Sequence, residues 1–212
     1  MKKLYFITVP LLAIFLLSST SFAQATSESE WEGYTPEELK ILEEQRKELR
    51  DMWDKYPVVQ NHQPRLKTLQ GSMGKCGDIL IALDSLTDHV GLVQNGAHVI
   101  EAHPDNPNHG VAITLNCWPY RYKKIKGLEV EGAKDYQKAD VVAYAEEQVG
   151  EPYDLFSGRW SENAWYCSKL VWRAWYREGY DLEGRIDEER GTYVTPGDIL
   201  ASPFTVTFYS SY

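Results

Sequence analysis

Cys167 sits in Asn163-Ala164-Trp165-Tyr166-Cys167-Ser168-Lys169-Leu170-Val171-Trp172, where a polar loop gives way to a helical pattern. A sulfur at the start of a helix faces free backbone N–H groups and the positive end of the helix dipole. Both favour negative charge, and the thiolate is the nucleophilic form. Taken alone, a free cysteine is more often a small buried hydrophobe. The segment Asp88-His89-Val90-Gly91-Leu92-Val93 shifts that balance, because it offers a base. Acyl chemistry on a thiol needs a base to take a proton and return it to the leaving group, and a third polar group to orient the base. Glu101 lies 12 residues after His89, across the Asn95-Gly96 turn. The even spacing is compatible with one sheet face, although a turn can change parity. A carboxylate there would hold the imidazole in one tautomer. His103 is the rival, but it falls past the strand pattern, which Pro104 ends. His62, His98 and His109 read as solvated loop or turn residues. The plainer alternatives are a strand histidine satisfied in the core and a surface glutamate.

These residues need a scaffold to bring them together. Thr35-Pro36-Glu37-Glu38 carries a capping box with proline at the first helical position. Apolar residues near helical spacing continue that helix to Tyr56, and Pro57 ends it. Residues 57–75 read as a loop with a Gly71-Ser72-Met73-Gly74 turn. The period then changes to that of strands, over 77–83, 89–93, 97–102, 111–115, 120–125 and 128–130, with Asn95-Gly96 as a hairpin turn. Helices follow over 139–149 and from Cys167 to near Gly179, the second with Leu170, Val171, Ala174 and Trp175 as its buried stripe. Thr195-Pro196-Gly197-Asp198 is a capped turn and 204–208 a final strand, so the class is α+β.

Composition bounds the function. Lys2 and Lys3, an apolar stretch from Leu4 to Leu17 and Ala23-Gln24-Ala25 form an export-signal pattern over 1–25. Its removal would leave 187 of 212 residues and move the net charge from −9 to −11 by loss of the two lysines. The apolar run is short for a membrane span, and no later segment is apolar enough, so no stable anchor is expected. Residues 26–70 read as leader, helix and loop, and 71–212 as the domain that carries the chemistry. An acidic chain gains nothing from counterion release on a polyanion, which argues against nucleic acid as a partner. The three cysteines leave at least one thiol free; Cys76 and Cys117 either pair or are both inert. Neither has a cysteine or histidine at metal-ligand spacing, so neither zinc nor any other cofactor is expected. Seven Trp and fourteen Tyr are enough to line a cleft as well as a core. Tyr153, Asp154 and Tyr166 flank the cysteine loop and are candidate substrate contacts. Aromatic walls would hold apolar stems, and Asp154 or Glu151 would meet a cationic amine. The alternatives are solvated loop carboxylates and a core tyrosine.

The ordered set of segments resembles a known family. Asp88-His89-Val90-Gly91-Leu92-Val93, Gly96 and Val99-Ile100-Glu101-Ala102 look like the histidine hairpin of the NlpC-type papain-like amidases. In that family's usual order the cysteine helix comes first; here the hairpin does. This order resembles the circularly permuted branch with the YiiX- and YycO-like proteins and, more distantly, the lecithin retinol acyltransferase-like proteins. Gly77-Asp78-Ile79-Leu80, Gly150-Glu151-Pro152-Tyr153-Asp154 and Tyr166-Cys167-Ser168-Lys169-Leu170-Val171 extend the likeness over roughly 71–205. It implies a permuted papain-like fold with an antiparallel sheet or barrel against helices. It further implies Cys167 as nucleophile, His89 as base and Glu101 as the orienting member, with the Cys167 N–H as oxyanion donor. Tyr166-Cys167-Ser168-Lys169 replaces the Asp-Cys-Ser-Gly of many non-permuted members, and Glu101 replaces a second histidine. The expected activity is a secreted cysteine hydrolase that cleaves an amide in small or cell-wall-derived peptides, such as a peptidoglycan stem peptide. Acyl transfer or lipid hydrolysis, and a non-catalytic ligand-binding domain, are the alternatives.

Overall fold

Helix α1 (Pro36–Met52) starts where its sequence says it should. The Thr35 hydroxyl accepts from the Glu38 N–H, and the Glu38 carboxylate accepts from the Thr35 N–H. This reciprocal cap satisfies two donors that the helix itself leaves unpaired. Leu42 and Leu49 bury one face. The computed structural model describes residues 34–59, 72–83, 87–183 and 192–211, all within the compact unit Tyr34–Tyr212. The export-signal pattern and His62 lie outside the described residues.

Strands β1 (Ile79–Leu83), β2 (His89–Val93), β3 (His98–Ala102), β4 (Val111–Leu115), β5 (Lys124–Val130) and β6 (Thr205–Ser210) form one sheet in the order β4-β3-β2-β1-β5-β6. Every neighbouring pair is antiparallel. The Asn95 side chain makes the β2–β3 turn by accepting from the Ala97 and His98 N–H groups at 2.8 and 3.1 Å. Both sheet faces are covered. Ile79, Ile81, Val90 and Leu92 face helix α4 (Cys167–Arg177) and helix α3 (Asp135–Glu147). Leu80, Ala82, Val93 and Val99 face a second cluster around Trp118 and Phe208. Each fully buried Leu, Ile or Val stabilises the fold by about 1.5–3 kcal/mol, so the two clusters fix the register of the central strands.

Three expectations need correction at their boundaries. Residues 120–125 and 128–130 do not form two strands. Lys124–Val130 is the single strand β5, and Tyr120 and Arg121 belong to the one-turn helix α2 (Trp118–Arg121) before it, with proline in its first turn. Trp118 is fully buried, so its tertiary contacts override the β propensity of the aromatic run. Helix α3 begins at Asp135 rather than Ala139, because Lys134 and Gln137 build a cap there. The capped turn at Thr195 grows into a true helix, α5 (Pro196–Ala201), through a reciprocal Thr195–Asp198 box. Cys76, Cys117 and Cys167 are all free thiols.

One glycine is required by this packing. A methyl group at Gly91, in the middle of β2, would lie 2.6 Å from both the Trp118 ring and the Val99 side chain. Gly91→Ala should therefore destabilise the protein by about 1–3 kcal/mol, the usual range for overpacking, seen as a lower urea midpoint at unchanged m-value. A midpoint equal to wild type would show that Trp118 has room to move.

Candidate active site

Three elements converge on one point. Cys167 is the first residue of α4, so its N–H precedes the helical ladder, whose first bond runs from the Leu170 N–H to the Tyr166 carbonyl at 3.1 Å. His89 opens β2, and Glu101 lies near the end of β3. The β2–β3 register pairs Leu92 with Ile100 and Val93 with Val99. Continued along the ladder, it sets Glu101 diagonally across from His89, within reach of a long side chain. His89 Nε2 and Glu101 Oε2 are 2.8 Å apart, at 2% and 0% side-chain exposure. The sulfur lies close by: Cys167 Sγ is 4.0 Å from the carbonyl oxygen of Asp88, the residue before His89, and Cys167 acts together with Glu101 in raising the imidazole. The structure thus brings Cys167, His89 and Glu101 into one chain of contacts.

The electrostatics of that chain are mutually consistent. Burial would discharge His89, but the hydrogen bonds to Cys167 and Glu101 and the charges on both outweigh it and raise the imidazole to about 9. Burial would likewise protonate Glu101, but the hydrogen bond to His89 and the charges of His89 and Arg121 hold it down at about 2. Both members of the pair are therefore charged at neutral pH. The carboxylate's second oxygen is also occupied: the Thr114 hydroxyl donates to Oε1 at 2.8 Å and Arg121 Nη1 at 2.6 Å. Such saturation is what a buried carboxylate needs to remain ionised. Trp118 stacks on the His89 ring, centroids 5.3 Å apart and planes at 22°. His103 meets the ring edge-on at 4.9 Å. Burial and the charge of His89 lower His103 to about 4, and its Nδ1 accepts from the Asp105 N–H. Glu101, not its rival His103, holds His89.

The remaining sequence expectations divide. Burial, followed by the charge of Cys167, raises the Tyr153 hydroxyl well above its ordinary value. Tyr166 is the residue before α4 and is buried; its hydroxyl accepts from the Val194 N–H at 3.1 Å. With Cys167 it lines a small cleft shared by Leu42, Gln45, Phe156 and Tyr193. Asp154 is exposed, and its Oδ1 accepts from the Phe156 N–H at 3.0 Å. A backbone bond from the Asp154 N–H to the Trp165 carbonyl ties it to the cysteine loop. His98 is half-buried at the start of β3, whereas His109 is exposed.

Sequence reasoning missed five neighbours: Arg121, Thr114, Trp118, Lys169 and Arg50. Lys169 is fully buried, donating to the Ser157 hydroxyl and the Ala164 carbonyl, with its ammonium 4.9 Å from the Trp165 ring. Burial lowers it to about 8. It fastens the loop that leads into Cys167. A lysine two residues after the cysteine, on the face that turns inward, was the only available signal. Arg121 and Thr114 are distant in sequence and carried none.

A model of the permuted papain-like amidases, YaeF/YiiX, C92 family, matches residues 72–187. The crystal structure of metalloprotein YiiX from Escherichia coli O157:H7 is similar, with a TM-score of 0.52 at 21% identity over 65% of this chain and 98% of that one. At that identity the likeness concerns the fold. No curated protein matches. Among the described residues, no group of three or more His, Cys, Asp and Glu is arranged to hold a metal ion.

The His89–Glu101 pair should titrate as one unit. Because folded His89 holds its proton more tightly than the unfolded chain, its contribution to stability is complete below the ordinary value of 6.5 and is lost as pH rises through about 9. The Glu101 contribution is present above 4.5 and is lost as pH falls through about 2. NMR of the His89 ring should show imidazolium persisting to about pH 9, and Glu101→Gln should move that midpoint down. An unchanged midpoint in the variant would remove Glu101 as the cause.

Proposed function

The chain belongs to the permuted papain-like amidases of the YaeF/YiiX family, and on that premise we propose that it is a cysteine hydrolase whose Cys167, His89 and Glu101 act as nucleophile, base and orienting carboxylate. The observation that carries this reading is the buried imidazole bonded to Glu101 at 2.8 Å, with Cys167 Sγ 4.0 Å from the carbonyl of the residue that precedes it. The Cys167 thiolate attacks the amide carbonyl carbon. Charge that develops on the oxygen is met by the Cys167 N–H at the open end of α4. The His89 imidazolium gives its proton to the nitrogen as the C–N bond breaks, releasing an amine and leaving a thioester. Neutral His89 then takes a proton from water, the hydroxide adds to the thioester, and the thiolate leaves with carboxylic acid as the second product. Glu101 stays ionised throughout and fixes the ring.

The proposed substrate is a short peptide of cell-wall origin, and the proposed compartment is outside the cytoplasm. The compartment rests on the export-signal pattern over 1–25. The substrate class rests on that compartment, on the family, and on the shape of the cleft. Phe156 and Tyr193, packed edge to face with ring centroids 5.5 Å apart, line it with an aromatic wall suited to the stems of a small peptide. Asp154 is the proposed partner of a cationic amine, a reading supported by its exposure and its backbone bond to the cysteine loop.

Three variants separate the proposed roles. With peptidoglycan digests read by mass spectrometry, Cys167→Ala should abolish product and serve as the blank. His89→Ala should lower kcat strongly, and Glu101→Gln should lower it less with KM nearly unchanged, since it misorients the base without reshaping the cleft. A fully active Glu101→Gln beside an inactive His103→Ala would transfer the orienting role to His103. Matched peptides differing only in acetylation of the amine should differ in kcat/KM, and Asp154→Asn should remove the difference. Equal values in wild type would exclude charge recognition while leaving the thiol chemistry intact.

A further inference from the structure

Among the contacts to the site from outside the matched residues 72–187, one reaches the start of β2. Arg50, in the last turn of α1, reaches Asp88 with both ends of its guanidinium: Nη1 to Oδ2 and Nη2 to Oδ1, each at 3.2 Å. Nη1 also donates to the Arg46 carbonyl at 3.0 Å, which anchors the fork on its own helix. The Asp88 side chain is 2% exposed, that of Arg50 37%. Two parallel bonds from a planar fork fix the carboxylate plane as well as its position.

Asp88 occupies the joint of the proposed machinery. Its φ of 50° is left-handed, a region that aspartate tolerates better than most non-glycine residues and that the Arg50 fork pins here. Its carbonyl oxygen lies 4.0 Å from Cys167 Sγ, and the next residue is His89. A rotation of this peptide would move the oxygen beside the sulfur and redirect the start of β2. Helix α1 also supplies Leu42 and Gln45 to the cleft beside Cys167, so the helix that carries Arg50 is itself a wall of the site.

We propose that Arg50 is a positioning residue for the Cys167–His89 pair, acting through the left-handed Asp88, and that α1 is therefore part of the catalytic unit rather than an appended helix. The inference rests on the reading of Cys167 and His89 as that pair. Arg50 touches neither substrate nor reacting atoms. Its effect falls on the geometry of the pair, and displacement of about 1 Å in such a pair can cost about a hundredfold in rate.

The test uses the full chain and iodoacetamide, with alkylation of each cysteine followed by peptide mass spectrometry across pH. Arg50→Gln should slow Cys167 alkylation about tenfold or more near about pH 6, while leaving Cys76 and Cys117 unchanged. Arg50→Lys should be intermediate, because an ammonium cannot bridge both carboxylate oxygens. Arg50→Gln combined with Asp88→Asn should be no slower than Asp88→Asn alone, since both act through one contact. Lys40→Ala, which removes an exposed charge from the same helix, should behave as wild type. Thermal melts accompany each variant; if Arg50→Gln fails to fold, Arg50→Lys carries the comparison. Wild-type alkylation profiles in the folded Arg50 variants, or additive effects in the double variant, would overturn the proposal. Failure of the underlying reading looks different: wild-type Cys167 would then alkylate no faster than Cys76 and Cys117.

Discussion

The structure is organised around the cost of keeping two charges out of water. His89 and Glu101 are both charged and almost fully buried, and an ion pair in that position is stable only when every remaining polar valence is met. The fold meets that demand from several directions. Thr114 on β4 and Arg121 on α2 saturate the carboxylate. Trp118 covers one face of the imidazole, and His103 takes its edge. Gly91 matters for the same reason, since a side chain there would displace Trp118 from its place. The second apolar cluster, on the sheet face away from α4, thus serves the site as much as the core.

The sulfur arrives by a separate route. The loop that precedes α4 is fastened by buried Lys169 and by the bond between the Asp154 N–H and the Trp165 carbonyl. Its far side is closed by the Arg159–Glu183 pair, also buried. Helix α4 then buries Leu170, Val171, Trp172 and Trp175 against the sheet, which sets Cys167 at the height of the β2 start. Cys167 meets His89 because one helix N-terminus and one hairpin face each other. The order in which they are synthesised does not enter the local electrostatics.

Much of this was legible in the sequence, for physical reasons that can be named. The Thr35 cap, the Asn95-Gly96 turn and the amphipathic pattern after Cys167 are local signals, and each appears where the spacing places it. Glu101 was found because a two-stranded hairpin converts sequence separation into proximity. Tyr120 and Arg121 read as strand but lie in the one-turn helix, because aromatic residues score alike in strands and in buried helical turns. Arg121, Thr114 and Arg50 were invisible because their partners lie 20, 13 and 38 residues away, and no periodicity encodes those contacts. Asp88 is part of a sequence motif, but nothing in its spacing marks the left-handed backbone it adopts.

The central claim is that Cys167 forms a covalent acyl intermediate which His89 both creates and resolves. Rapid-quench intact-protein mass spectrometry on a short amide substrate tests it most directly. The expected result is an adduct equal in mass to the acyl half of the substrate, mapped to the peptide that contains Cys167 and decaying with the turnover rate. Turnover with no adduct on that peptide at any quench time, in a protein whose Cys167→Ala variant remains active, would contradict it.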